Sequence, residues 1–242
     1  MDAITVMKRY EVKYILNKDQ LSYLRKVLLE HMTVDEYGKT TISSLYYDTD
    51  DYRIIRASIE KPIFKEKMRL RSYGLSNGDS PVFLEIKRKA YHITYKRRVA
   101  LQEEDAVNFI ANKGYELGED QISKEITYFR NYYTKLLPKI LIIYERTAYK
   151  EIDGDIRLTI DENPRYRTYD LNLHTSNDGM LLLPNGSAIL EIKVQEQMPL
   201  WLTEILSKGQ IYKTTFSKVG TAYQRINTPH AIEERIERRI TV

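Results

Sequence analysis

Two stretches, FLEIKRK at Phe83 to Lys89 and ILEIKV at Ile189 to Val194, share one pattern about a hundred residues apart. Each alternates with the period of a β-strand, yet one of its two faces is charged: Glu85, Lys87 and Lys89 in the first, Glu191 and Lys193 in the second. The other face, Leu84 and Ile86 or Leu190 and Ile192, is the one that packs on apolar neighbours. A chain built this way must either leave the charged face in water or wrap it around something that tolerates charge.

The pattern recurs along the chain. RYEVK sets Arg9, Glu11 and Lys13 opposite Tyr10, Val12 and Tyr14, and KMRLRS sets Lys67, Arg69 and Arg71 opposite Met68 and Leu70. YKRRV offers Lys96 with Arg98, YERTA offers Tyr144 with Arg146, and RLTID offers Arg157, Thr159 and Asp161 opposite Leu158 and Ile160. Taken singly, each reads as an ordinary strand with one wet side. Taken together they concentrate Arg and Lys with a few acids, where a solvated face mixes Thr, Ser, Gln and both signs of charge. Two unit charges 5 Å apart repel by roughly 3 kcal/mol at an effective dielectric of 20, so gathering these cations in one place calls for a polyanion. A chain of phosphates fits, because the guanidinium fork binds phosphate oxygens through paired, charge-assisted hydrogen bonds.

Strand candidates fall at 8–15, 41–48, 65–73, 81–89, 93–101, 139–149, 155–161 and 187–195, with turn sequences SNGD, IDGD and PNGS between some of them. Eight strands joined mostly as antiparallel hairpins can close a barrel. With the charged faces inward, the expected fold is α+β: an eight-stranded antiparallel β-barrel forming a tunnel, with peripheral helices. NKDQLSYLRKVLLEH predicts a helix with Asn17 as N-cap and Gln20 completing a capping box. Further helices are predicted in EEDAVNFIANKG, in QISKEITYFRNYYTKLL, over Pro199 to Lys208 and in the tail HAIEERIERRI.

The 242 residues, 42% hydrophobic, suffice for one core, and a single domain over 1–242 is expected. The absence of Cys removes disulfides, thiolate catalysis and thiolate zinc sites. His31, His92, His174 and His230 are scattered without the i, i+4 spacing of an imidazole metal site, leaving carboxylates as the candidate metal ligands. No apolar run approaches the ~20 residues that span a bilayer, and no N-terminal stretch has signal-peptide order, so a cytoplasmic protein is expected. The net charge of +4 permits an anionic partner without demanding one. The acids would repel phosphate unless a divalent cation intervened, and Mg²⁺ or Mn²⁺ is held by one or two carboxylates plus phosphate oxygens. Glu191 and Glu11 are the candidate metal ligands; Glu85 and Asp161 read equally as salt-bridge partners of neighbouring cations.

RYEVKYIL, SLYYDT, KMRLRSYG, FLEIKRK followed by YKRR, YERTAY, RLTID, ILEIKV and FSKV, in that order, resemble the VTC domain, the polyphosphate polymerase module of the triphosphate tunnel metalloenzyme superfamily. The resemblance covers essentially the whole chain. It implies an ATP or other NTP donor that gives its γ-phosphate to a growing polyphosphate chain, assisted by Mn²⁺ or Mg²⁺. Carried over motif by motif, Lys13, Arg69, Arg71, Lys87, Arg98, Arg146 and Arg157 would clamp phosphates in catalysis. Glu191 would hold the metal, and Ser217 and Lys218 would contact the far end of the phosphate chain. The other cations of the charged faces, Arg9, Lys67, Lys89, Lys96 and Lys193, are expected phosphate contacts. Arg9 stands where the thiamine triphosphatase and class IV cyclase branch begins Glu-x-Glu-x-Lys, which favours the VTC branch. Eukaryotic members carry a phosphate-sensing N-terminal domain and membrane helices; neither is expected in this chain, so a separate membrane partner would be needed.

Two other functions fit the same residues. Water in place of a phosphate acceptor would make the protein a tripolyphosphate or NTP hydrolase. A non-catalytic polyanion-binding module, or an RNA-binding sheet using some of the 20 Tyr for stacking, is the rival from another class. Against nucleic acid, the cations are spread over many strands and the Tyr fall largely on the apolar faces. The P-loop and Gly-rich dinucleotide motifs are absent.

Overall fold

The computed structural model describes residues 10–229 apart from 61, 78, 79, 92 and 196, together with 233, 234 and 236. Arg9 and the predicted tail helix, apart from Glu233, Glu234 and Ile236, lie outside the described residues.

Eight longer strands form one antiparallel sheet: β1 (Tyr10–Leu16), β2 (Met32–Asp48), β3 (Phe64–Tyr73), β4 (Val82–Ala90), β5 (Ile93–Leu101), β6 (Leu137–Glu151), β7 (Arg157–Arg167) and β9 (Ala188–Val194). Two-residue strands β8 (Met180–Leu181) and β10 (Lys213–Thr214) attach to β7 and β1. The order is β10-β1-β9-β7-β6-β2-β3-β4-β5. The sheet curls with its charged face inward, as the alternation predicts. Its backbone ladder does not close into the expected barrel among the described residues: β5 is one end of the order, and at the other β10 pairs the outer edge of β1 at Lys13 and Tyr14. Side chains cross the seam instead: Lys87 on β4 reaches Glu11 on β1 at 3.8 Å.

The outward face is the apolar one, and helices cover it. Tyr14 and Leu16 of β1, Leu158 and Ile160 of β7, and Leu190 and Ile192 of β9 pack against Leu21, Leu24 and Leu28 of α1 (Lys18–Leu28) and Leu202 and Leu206 of α5 (Leu200–Lys208). The α1 start is the predicted capping box, with Asn17 and Gln20 exchanging backbone-to-side-chain hydrogen bonds of 2.9 and 3.0 Å. On the other half of the sheet, Leu45, Met68, Leu70, Leu84 and Ile86 pack against Phe109 of α3 (Glu103–Ile110) and Ile126 and Phe129 of α4 (Gln121–Tyr133). Many of these side chains are fully buried, and each contributes about 1.5–3 kcal/mol relative to exposure. This burial fixes register, since a slip of one residue would turn the charges out and the leucines in.

Two helices not anticipated from the sequence reach the inner face. The buried Asp48 carboxylate accepts backbone hydrogen bonds from Thr49, Ile54 and Ile55, turning the chain out of β2 into α2 (Arg53–Ile59). Ser217 caps α6 (Lys218–Asn227), its Oγ accepting from Gly220 N at 3.2 Å. Ile55 of α2 and Val219 and Ala222 of α6 pack on Ile42, Tyr46, Ile140, Ile142 and Tyr144, filling part of the space that the sheet encloses.

Candidate active site

Strand register sets the charged side chains side by side. On β3 to β5, Arg69 pairs with Glu85 and Glu85 with Arg98, while Lys67 pairs with Lys87 and Lys87 with Lys96. Glu85, 1% exposed, is the hub: Arg69 Nε donates to Oε2 at 2.7 Å, and Arg98 Nε and Lys96 Nζ reach Oε1 at 2.6 and 2.8 Å. Burial alone would raise its pKa, but Arg69, Arg71 and Lys96 hold this carboxyl far below the usual carboxylate range.

Arg69 and Arg71 also bond across to β2 and β6. Arg69 Nη1 donates to the Tyr46 hydroxyl at 3.2 Å; Arg71 Nε donates to Ser44 Oγ and its Nη2 to the Tyr144 hydroxyl, both at 3.2 Å. Arg146 holds the fully buried Asp161 in a two-pronged pair of 2.6 and 2.8 Å, and Lys218 at the start of α6 binds the same carboxylate. Its Nζ also lies 4.3 Å from the centre of the Tyr144 ring. Ser217 Oγ accepts from Lys67 Nζ at 3.2 Å, so α6 is tied to β3 as well as to β7.

The β1 and β9 wall carries the remaining acids. Lys13 Nζ lies 3.2 Å from Glu11 Oε1 and 3.4 Å from Glu191 Oε2, and Lys193 meets the other Glu191 oxygen at 3.2 Å. Burial opposes ionisation of Glu191, but Lys13, Lys193, Arg146 and Lys218 hold it well below the carboxylate range. Burial also works against the Lys13 ammonium, yet Glu191 and Glu11 outweigh it and raise its pKa.

Ten of the predicted cations therefore line the enclosed face: Lys13, Lys67, Arg69, Arg71, Lys87, Lys96, Arg98, Arg146, Lys193 and Lys218. They stand against four carboxylates, Glu11, Glu85, Asp161 and Glu191. Lys89 and Arg157 sit at strand ends beside further cations, Lys89 in register with Lys65 and Arg157 with Lys193. Tyrosines stand on the enclosed face as well as on the apolar one: Tyr46 and Tyr144 face inward, because Tyr46 pairs with Arg69 and Ile140, and Ile42 with Tyr144. Their place in the alternation, two residues from Ser44 and Arg146, was the available signal.

The donor chemistry at Glu191 fits a hard divalent cation. Glu191 and Glu11 converge on one ammonium, and the buried Thr159 Oγ1, opposite Glu191 in the β7–β9 ladder, has no hydrogen-bond partner. No group of three His, Asp or Glu side chains is placed to hold a metal among the described residues, so phosphate oxygens would have to complete the shell. His31 stacks on Trp201 at 4.4 Å and His174 lies beside Glu103, away from this face.

The VTC domain profile matches residues 8–227. The chain belongs to the VTC domain family. Its relatives include vacuolar transporter chaperone complex subunit 4 of Schizosaccharomyces pombe, 24% identical over 254 residues (82% of this chain, 34% of the relative). The Trypanosoma brucei brucei protein of the same name is 24% identical over 257 residues (84% and 32%). This VTC domain thus spans about a third of the length of those relatives. Among solved structures, a putative adenylate cyclase of Bacillus halodurans superposes with a TM-score of 0.55 at 14% identity, covering 87% of this chain and 96% of its own. A putative adenylyl cyclase of Hippeastrum, described as having a dominant triphosphatase activity, gives 0.56 at 15% identity over 86% and 92%. These neighbours share the triphosphate tunnel fold, and at such identity they speak for the fold alone.

Proposed function

We propose that this VTC domain is a metal-dependent polyphosphate polymerase that transfers the γ-phosphate of ATP or another NTP to the end of a polyphosphate chain. The observation that carries the reading is the enclosed face, where ten cations stand against four carboxylates and call for a polyanion. Family membership and the subunit 4 relatives support it.

In the reaction, an ionised terminal oxygen of the chain forms a bond to the γ-phosphorus as the bond from that phosphorus to the β–γ bridging oxygen breaks, and ADP leaves with the electron pair. No protein nucleophile is needed. Such a transfer asks mainly for alignment and charge neutralisation. Arg69, Arg71, Lys87, Arg98 and Arg146 would exchange part of their present pairing for phosphate oxygens, while Glu85 and Asp161 keep Arg69, Arg98 and Arg146 in place. Ser217 and Lys218 would meet the chain beyond the reacting phosphate, with Lys67, Lys89, Lys96, Lys193 and Arg157 as further contacts. Glu191, with Glu11, would hold Mn²⁺ or Mg²⁺, which supplies charge neutralisation at phosphate oxygens when bound.

No helix among the described residues is long and apolar enough to cross a membrane. The relatives are named as subunits of a complex, and a separate membrane-bound partner acting from a cytoplasmic reaction is part of this proposal. Phosphorus NMR of the protein with ATP and Mn²⁺, with and without pyrophosphate primer, tests the reading. Internal chain phosphate growing with ADP supports the polymerase. ADP with equal free phosphate would replace it by a hydrolase, and no turnover would leave a polyanion-binding module.

A further inference from the structure

Tyr46 is the least expected residue of the enclosed face. It is 9% exposed, and its hydroxyl accepts from Arg69 Nη1 at 3.2 Å. A guanidinium only donates, so the phenol oxygen acts here as acceptor. The Arg69 guanidinium carbon also lies 5.9 Å from the ring centre. The charged groups acting on Tyr46 from β3 are Lys67, Arg69 and Arg71. From β4 the nearest carboxylate, Glu85, is turned to the far side of Arg69 and occupied by three cations. From β6, Tyr144 binds Arg71; from α2 and α6 the shared cluster holds Ile55, Val219 and Ala222 with Tyr52 and Tyr223 packed against it, and Lys218 at the start of α6 is paired with Asp161.

We propose that Tyr46 is a proton-carrying ligand of the phosphate chain: a phenolate held by Arg69 in the empty lumen, and a phenol that donates to a phosphate oxygen once the anion is bound. The inference rests on the phosphate-tunnel reading above and adds a residue and a proton to it. On binding, one proton moves from solvent onto Tyr46 Oη, and the Arg69 fork turns from the phenol to phosphate. Burial by itself would push the phenol up; the charges of Arg69, Lys67 and Arg71 outweigh it and bring its pKa down to about 7. Polyanion charge in the same space cancels that stabilisation, so the proton returns.

The test is the ultraviolet phenolate band of the intact protein titrated between pH 6 and 9, free and with saturating tripolyphosphate, as wild type, Tyr46→Phe and, because the Tyr73 hydroxyl accepts from Arg98 Nη2 at 3.2 Å, the control Tyr73→Phe. Calorimetry in two buffers of different ionisation enthalpy reads the proton directly. The expected result is a neutral-pH band worth one of the 20 tyrosines, present in wild type and Tyr73→Phe, absent in Tyr46→Phe, and abolished by tripolyphosphate with a proton uptake at about pH 8 that is larger in wild type than in Tyr46→Phe by about one proton. Lys67→Met guards against a Tyr46→Phe protein that fails to fold, and should move the band to higher pH. A wild type without the band below pH 9, a band that survives in folded Tyr46→Phe, or tripolyphosphate binding without proton uptake would each overturn the inference. A protein that shows the band but does not bind tripolyphosphate would overturn the phosphate-tunnel reading, and the coupling with it, while leaving the phenolate in place.

Discussion

Arg69 and Glu85 face each other across the β3–β4 ladder, and Arg69 sets both Nε and Nη2 2.7 Å from the same Glu85 oxygen. The other oxygen takes Lys96 and Arg98, so one buried carboxylate holds three of the cations that would grip phosphate. Glu85→Gln keeps the shape and removes the charge. Breaking a buried pair from one side costs about 3–5 kcal/mol, less here because the partners are partly exposed, so the unfolding free energy should fall by about 2–3 kcal/mol. Urea denaturation measures it. Mn²⁺ affinity should stay unchanged, and a clear loss would make Glu85 a metal ligand instead.

That assignment shows what the sequence could and could not say. Alternation in FLEIKRK placed Glu85, Lys87 and Lys89 on one face, and the fold puts that face inside. Whether Glu85 met a metal or a cation depended on Arg98 and Arg69 being its ladder neighbours, which only strand pairing reveals. Closure of the barrel was misjudged for a similar reason. β10 is two residues long and carries no strand pattern of its own, yet it pairs the outer edge of β1 and leaves β5 as the other end of the sheet. Helix α6 is hard to read because Gly220 and the Thr221 beside it weaken its helical pattern; its start combines a local cap at Ser217 with Lys218 on Asp161, a contact distant in sequence.

Arg69→Ala and Arg71→Ala should separate in stability while agreeing in function. Both remove a proposed phosphate clamp, and turnover should fall about 10²–10³-fold in each. Arg71 is buried and leaves Ser44 Oγ and the Tyr144 hydroxyl without their donor, at a cost of about 1–3 kcal/mol. Arg69→Ala leaves Glu85 with two cations, and the Tyr46 oxygen, though it loses its guanidinium donor, can take a proton as a neutral phenol. Thermal unfolding should therefore rank Arg71→Ala below Arg69→Ala, and the reverse order would mean that Arg69 carries the structural load.

Lys13 occupies the site between Glu11 and Glu191 that a divalent cation would use. An ammonium kept charged by those carboxylates competes with the metal. Lys13→Met should tighten Mn²⁺ binding to the phosphate-free protein by roughly tenfold, about 1.4 kcal/mol, as read by electron paramagnetic resonance. Turnover should fall at the same time if Lys13 also clamps phosphate, as its family position implies. Glu191→Gln should weaken Mn²⁺ binding, and a variant pair that leaves the affinity untouched would move the metal away from this wall.

The ligand-free lumen should make the protein more stable as pH rises from 7 to 9, the opposite of what a basic protein with paired lysines would show. Tyr46 is lowered to about 7 and Lys67 to about 8, the first by Arg69, Lys67 and Arg71 against the effect of burial, the second by burial with Lys13, Lys65 and Lys87 adding repulsion. In the unfolded chain these groups lose their protons only near pH 10. Between the folded and unfolded values the unfolded state binds more protons, so stability grows with pH across that window. Lys13 is shifted the other way, upward, and acts only at higher pH. The melting temperature should rise by about 3 °C or more from pH 7 to 9, given about 2–4 °C per kcal/mol for a chain of this size. Tyr46→Phe should remove part of the rise, and saturating tripolyphosphate should flatten it by restoring both protons. A melting temperature that falls over the same range would mean that the cations of this face are already neutralised by contacts within the protein.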